Sequence, residues 1–331
     1  MKSLMKSAKV VLKKIKGDAS FRSFYRKIEN KKNSIIVYAS KEKVKNLLIY
    51  DAINSLLIQN KIIAPKLYKE NYKKNFIEIE DFGDDTVFKI LKKSETNKIN
   101  LYKKSIDLLN KIQKIKQNKI KNFNGKDYKI PIYEDIKLFK EAKLFSDWYV
   151  KKHISKKKLS KVNMEINKQI KFLLSKLKLK NDTFVHRDFH VSNLMKYKKE
   201  LATIDSQDAL IGNKTYDLAS LIDDVRFKSD KELKDNIYNY YLKLNEKKIN
   251  KVFLLNDFEI LSVIRNMKII GIFTRLAERD KKKKYLKLIP YAWRLIELRL
   301  KNNKIFDSLK KLLDLNFPKK IRDLKWKLIL H

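Results

Sequence analysis

Short β-branched and aromatic runs over Phe21 to Glu29, Ser34 to Ala39 and Phe76 to Glu80 predict three strands. Between the second and third, Val44 to Gln59 carries apolar residues at helical spacing and predicts a helix. This order describes a small sheet with one helix against it. Ahead of it, Leu4, Ala8, Val11, Leu12 and Ile15 share one face of a 3.6-residue period, which predicts an opening packing helix. Near Gly83 the texture changes. From Thr86 to Lys180 apolar residues recur at helical spacing, as in Leu138, Ala142, Phe145 and Tyr149. A turn-rich strand region covers Phe184 to Ile211, and helices resume at Tyr216, with Gly212 and Asp217 expected to form the turn and cap before them. No internal repeat or flexible linker interrupts this order. The expected fold class is α+β in two lobes: residues 1–83 hold the small sheet, residues 84–331 are mainly helical, and a hinge lies near residues 79–84.

Composition narrows the class. The 331 residues, 44% of them hydrophobic, suffice for a large core, so wholesale disorder is excluded. The absence of Cys rules out disulfides, thiol nucleophiles, iron–sulfur clusters and Cys-ligated zinc. No apolar run reaches the roughly 18 residues of a membrane span. Lys9, Lys13 and Lys14 break the basic start before it could serve as a signal peptide. The expectation is a cytoplasmic protein with no membrane span; the sequence leaves its oligomeric state open. The net charge of +41 would ordinarily point to nucleic acid. Here the cations are nearly all Lys, in a chain rich in Asn and Ile and poor in Gly and Pro, as a biased coding composition produces. Lys114 to Lys121 and Lys281 to Lys284 also lack interleaved stacking aromatics. Nucleic acid is therefore not the expected partner, and the positive field suits an anionic substrate such as ATP.

The candidate chemistry lies in Val185-His186-Arg187-Asp188-Phe189-His190-Val191-Ser192-Asn193, followed by Thr203-Ile204-Asp205-Ser206-Gln207-Asp208. Asp188 precedes Asn193 by five positions, the spacing of the protein-kinase catalytic loop, where Asp accepts the hydroxyl proton and Asn binds magnesium. Asp205 ends a short apolar strand, where a second magnesium-binding carboxylate is needed. Phosphoryl transfer asks for a positioned alcohol, a proton acceptor and hard cations on the phosphate oxygens, and Mg2+ prefers oxygen ligands such as these. His186 is expected to brace the loop through hydrogen bonds. A zinc pair of His186 and His190 lacks the intervening Glu, a third ligand and a helix.

His186-Arg187-Asp188 through Asn193, then Ile204-Asp205, then Tyr216-Asp217-Leu218-Ala219 resembles the aminoglycoside phosphotransferase/choline kinase superfamily, which has a protein-kinase-like fold. Within it the chain is similar to the anomeric N-acetylmuramate/N-acetylglucosamine kinases of cell-wall recycling. Gly17-Asp18-Ala19-Ser20-Phe21-Arg22, Gln207 to Leu210 with Ser220 to Asp224, and Arg265 to Leu276 with Arg279-Asp280 carry that likeness, joined by the helix around Glu141, Leu144, Phe145 and Trp148. The resemblance implies Asp188 as catalytic base and Asn193 and Asp205 as Mg2+ ligands. It also implies Ile79-Glu80-Asp81-Phe82 as the hinge against the adenine of ATP, and Ser20 and Arg22 over its phosphates.

One departure stands out. The run Ser34 to Ala39 holds no Lys to grip the α- and β-phosphates; Lys41 and Lys43 follow it. For the acceptor sugar the candidates are Glu141, His190, Gln207, Arg265 and Arg275, with Arg279, because a bidentate Arg suits the lactyl carboxylate of N-acetylmuramate. Two other readings remain at this level: a kinase for another hydroxyl metabolite such as an aminoglycoside or choline-like alcohol, and a non-catalytic kinase-like protein that binds a polyanion. The Lys-rich helical part disfavours a cationic acceptor, and the intact Asp188, Asn193 and Asp205 disfavour the non-catalytic reading.

Overall fold

The structure, a computed structural model, describes residues 10–15, 22–30, 32–39, 46–93, 95–247, 249–301 and 303–323. It opens with β1 (Val10–Ile15), β2 (Ser23–Glu29), β3 (Lys32–Tyr38), α1 (Asn46–Gln59), β4 (Leu67–Asn71) and β5 (Phe76–Glu80). Next come α2 (Val87–Leu91), α3 (Lys98–Gln113), the hairpin β6 (Lys119–Lys121) and β7 (Asp127–Lys129), and α4 (Asp135–Ala142). A π-helical turn (Phe145–Val150), α5 (Lys151–His153) and α6 (Lys156–Leu174) lead to β8 (Asn181–Val185), β9 (Leu194–Tyr197), β10 (Glu200–Thr203) and β11 (Leu210–Asn213). The rest is mainly helical: α7 (Thr215–Ile222), α8 (Lys231–Asn245), α9 (Lys251–Glu278), α10 (Ile289–Leu300), α11 (Asp307–Asn316) and α12 (Lys319–Arg322). The chain divides into two compact units, Met1–Pro131 with His186–Leu210, and Ile132–Val185 with Ile211–His331. Among the described residues no helix is long and apolar enough to cross a membrane.

In the first unit the strands form one sheet in the order β1-β2-β3-β5-β4, antiparallel throughout. Val37, Ile77 and Ile79 from its strands pack with Ala39 and with Leu47 and Tyr50 of α1, which closes the core of the sheet. The expected opening helix is a correction. Val11, Leu12 and Ile15 lie in β1, which pairs with β2 from Val10 opposite Glu29 to Ile15 opposite Phe24. Its apolar spacing serves either period; the β-branched Val10, Val11 and Ile15, together with a partner strand that satisfies their backbone groups, decide for the strand. Leu4 and Ala8 lie outside the described residues.

Three backbone links seat the region after β8 on the first unit's helices and loops. Phe88 N–H donates to the Val191 carbonyl (2.8 Å), Lys196 N–H to Asp85 (2.8 Å), and Thr203 N–H to Ile63 (3.0 Å). Thr86 caps α2 by accepting from the Lys89 N–H, and it also bridges to Met195 in β9. Met195 and Ala202 pack with Phe82 beneath the hairpin of β9 and β10.

The second unit is built round α9, most of whose length is buried. Gly271 in its middle lets α9 press against the backbone of Leu144 and Phe145, where the chain passes into the π-helical turn; a Cβ there would overlap that backbone. Phe145, Tyr149, Trp293 and Phe317 form an aromatic cluster with centroids 5.3–5.7 Å apart. A second correction concerns the entry to α7. Gly212 belongs to β11 and Asp217 lies inside the helix; the N-cap is Lys214, and Asn213 before it closes the turn, its Oδ1 accepting from the Thr215 N–H (3.0 Å) and hydroxyl (2.9 Å). Asn213 can do so because its Nδ2 is fixed by the buried Asp257 carboxylate.

Candidate active site

Between β8 and β9 the chain makes a tight loop rather than a helix. The His190 N–H donates to the Asp188 carbonyl (3.0 Å) and the Asn193 N–H to that of His190 (2.9 Å), with Arg187 held at a φ of +72°. His186 anchors the loop from below. It is fully buried, and its Nε2 lies 2.8 Å from the Thr203 hydroxyl of β10. Burial pushes the imidazole down to about 4, with the negative charge of Asp188 opposing the shift, so it is neutral at physiological pH.

The loop turns Asn193 to one task. Its Nδ2 donates to the Asp188 carbonyl (3.0 Å) and sits 3.4 Å from His190 Nε2. The amide oxygen, the end that a hard cation prefers, is left without a donor among the described residues. The Ile204 N–H donates to the Asn193 carbonyl (3.0 Å), which ties the start of the Asp205 turn to the same loop. Asp205 itself has a φ of +63°, a left-handed conformation that non-glycine residues adopt at some cost.

The Asp205 carboxylate stands in a concentrated electrostatic field. Desolvation pushes it up, Arg22 opposes that shift, and the charges of Asp188 and Asp208 add to it. Arg22 reaches Asp205 Oδ1 at 3.3 Å and Asn46 Oδ1 at 3.2 Å, with its guanidinium 5.6 Å from the Tyr50 ring. Beyond Asp205, Ser206 donates to Asn54 of α1 (2.8 Å) and Gln207 Nε2 to Asp208 (2.9 Å). The buried Gln207 Oε1 has no donor. Arg187 donates to the Asp208 carbonyl (3.3 Å), closing the turn.

The Asn193 amide and the Asp205 carboxylate offer oxygen donors of the kind a hard cation prefers. Among the described residues no cluster of three or more His, Cys, Asp or Glu could cage a metal unaided. Mg2+ held by one amide oxygen, one carboxylate and substrate phosphates needs no such cage.

The expected hinge residues have structural side chains. Glu80 accepts from the Tyr197 hydroxyl (2.8 Å), and Asp81 accepts from Arg26 Nη2 (3.0 Å) and the Gly83 N–H (2.8 Å). Phe82 packs on Tyr197, centroids 4.6 Å apart. The β-ladder ends at Glu80, so the main chain of Asp81 and Phe82 lies beyond the sheet's hydrogen-bond ladder. Ser20, Lys41 and Lys43 lie outside the described residues.

Of the acceptor candidates, His190 and Gln207 belong to the first unit with the loop, and Glu141, Arg265, Arg275 and Arg279 to the second. Glu141 is committed to Lys268 Nζ (2.6 Å) and the Tyr133 hydroxyl. Arg279 is exposed and paired with Asp280. Arg275 is half-buried, and Arg265 is almost wholly buried. Two residues at the site were missed by sequence reasoning, Asn46 and Tyr50 around Arg22, whereas Asp208 lay in a segment that the resemblance already singled out. The Asp208 signal was legible in Asp205-Ser206-Gln207-Asp208, whereas Asn46 and Tyr50 carry none.

The sequence pattern of the phosphotransferase enzyme family matches residues 11–249. A protein named N-acetylmuramate/N-acetylglucosamine kinase from Pseudomonas aeruginosa is 28% identical over 85% of this chain and 81% of its own length. One of the same name from Neisseria meningitidis is 26% identical over 82% and 80%. Among solved structures, an ADP-bound aminoglycoside phosphotransferase superposes with a TM-score of 0.59 at 16% identity, covering 89% of this chain and 95% of that one, which establishes a shared fold. The matched residues run through the antiparallel sheet, the Asp188 loop and the Asp205 turn, and with them the chain belongs to the phosphotransferase enzyme family.

Proposed function

We propose that the chain is an ATP- and Mg2+-dependent kinase that phosphorylates the anomeric hydroxyl of N-acetylmuramate or N-acetylglucosamine. The observation that carries the reading is the loop in which the Asp188 carbonyl pins Asn193 by its amide nitrogen, while the Asn193 carbonyl accepts from the Ile204 N–H just before Asp205. The names of the relatives, at 25–28% identity, supply the acceptor class.

In this reading Asp188 orients the sugar hydroxyl and accepts its proton as the oxygen bonds to the γ-phosphorus and the bond to the β-phosphate oxygen breaks, releasing ADP. Asn193 and Asp205 hold the metal, which when bound neutralises charge on the phosphate oxygens. Arg22, together with Ser20, takes the phosphate-binding part for which the run Ser34 to Ala39 holds no Lys. Residues 1–83 form the nucleotide-binding lobe, with the main chain of Glu80 to Phe82 facing the adenine, and residues 84–331 carry the catalytic loop and acceptor site. A cytoplasmic location follows from the substrates.

The test is ADP release with Mg2+-ATP over N-acetylmuramate, N-acetylglucosamine, kanamycin, choline and no acceptor, beside Asp188→Asn. Turnover with an amino sugar, lost when the anomeric position is blocked and lowered by about 10²–10⁴ in the variant, is expected. Turnover only with kanamycin or choline would move the substrate class, and a variant within tenfold of the natural protein would remove Asp188 from the chemistry.

A further inference from the structure

One side chain gathers the segment that follows β5. Arg26 lies in β2, opposite Ile35 of β3, and Ile35 in turn lies opposite Ile79 of β5. Its guanidinium therefore spans the width of β3 to reach residues 81–84, and all three of its nitrogens are engaged there. Nε and Nη2 grip the two oxygens of the Asp81 carboxylate, Nη1 donates to Asp84 (2.9 Å), and Nη2 also donates to the Gly83 carbonyl (3.0 Å). The Asp81 carboxylate accepts from the Gly83 N–H as well (2.8 Å). Arg26 and residues 81–84 all belong to the first compact unit.

The clamp matters because of what it buries. The Asp81 side chain is only 4% exposed, and Arg26 is its one cationic partner among the described residues. A carboxylate out of water without a counterion is costly, so without Arg26 it would have to turn outward to be hydrated. The backbone would follow, because the same carboxylate holds the N–H of Gly83. Gly83 stands at a φ of +78°, and the clamp closes this left-handed turn through both its N–H and its carbonyl. The Asp81 side chain and the main-chain groups of Gly83 are thus taken up. The main chain of Asp81 and Phe82, past the end of the β-ladder, stays outside the clamp.

We propose that Arg26 is the positioning residue for the nucleobase: by tying residues 81–84 to the sheet it holds the hinge main chain in register with the edge of adenine, and so sets a preference for adenine over guanine nucleotides. The inference deepens the hinge role given above to Glu80 to Phe82 and rests on it. Adenine presents an amino donor where guanine presents a carbonyl acceptor. A main chain fixed in place matches one edge and confronts the other with unpaired groups, whereas one that can move adapts to either. Arg26 touches no nucleotide in this reading; its effect passes through Asp81 and Gly83.

The experiment is titration calorimetry of ADP and GDP, which carry the same phosphates, on the natural protein, Arg26→Met and Arg26→Lys. The natural protein should bind ADP about tenfold or more tightly than GDP. In Arg26→Met that preference should fall by about fivefold or more, through weaker ADP binding with little change for GDP. Arg26→Lys, which keeps the charge and loses the fork, should fall between the two. ADP and GDP weakening by the same factor would overturn the proposal, because a general loosening of the unit or a lost phosphate contact does not distinguish the bases. An ADP Kd within about twofold of the natural protein would overturn it too. Should Arg26→Met fail to fold, Arg26→Lys alone decides: a fall in preference of about threefold or more supports the proposal and an unchanged preference ends it. A natural protein that binds ADP and GDP alike, or binds neither, removes the hinge reading itself and this inference with it.

Discussion

Arg22 Nη2 lies 3.3 Å from Asp205 Oδ1, which joins the residue before β2 to the turn after β10. In the proposed function this pair supplies the cation for phosphate and the carboxylate for metal. Asn46 Oδ1 and the Tyr50 ring also contact the guanidinium.

That arrangement predicts the effect of removing the charge. Arg22→Met should weaken ADP binding by about tenfold or more, the scale of one lost charge-assisted contact. Titration calorimetry reads this without turnover, and a Kd within twofold of the natural protein would leave the phosphates to another group.

His186 makes stability depend on pH. Its folded value, about 4, lies below the 6.5 of an exposed imidazole, so between those values the unfolded chain binds the extra proton. Its contribution is complete above pH 6.5 and is lost as pH falls towards 4, by up to about 3 kcal/mol. The half-buried His153 of the second unit, also pushed down to about 4 by burial, acts in the same direction. NMR of the His186 ring should show it neutral at pH 5.5; a midpoint near 6.5 would contradict the buried brace.

Gly271→Ala tests the close passage of α9 over the start of the π-helical turn. The added Cβ would overlap backbone atoms of Leu144 and Phe145, which cannot swing aside as a side chain would. A loss of about 3 kcal/mol or more in chemical denaturation is expected, at the upper end of overpacking costs. A variant as stable as the natural protein would mean that α9 can shift away from that backbone.

Much of the fold and the core of the candidate site were legible because their signals are local. The runs of β2, β3 and β5 and the spacing of α1 and the later helices need only short-range periodicity, and Asp188, Asn193 and Asp205 are recognisable by spacing and residue type. β1 was not, because Val11, Leu12 and Ile15 fit a helix as well as a strand, and only pairing with β2 separates the two. The cap before α7 was misread for a similar reason. Asn213 closes the turn into α7, and Asp257, 44 residues later, holds its other end.

The sequence by itself determined the family pattern and the candidate chemistry: an Asp, an Asn and a second Asp at kinase spacing, no thiol, and apolar periods that make a sheet and many helices. Only the tertiary structure decided which charges are spoken for. Arg22, Arg265, Arg275 and Arg279 read alike in the chain, yet Arg22 meets Asp205, Arg279 meets Asp280, Arg275 is half-buried with its Nε lacking an acceptor among the described residues, and Arg265 is almost wholly buried with its Nη1 lacking one. An ionic partner and its dielectric surroundings are set by residues far away in sequence, so no local pattern encodes them.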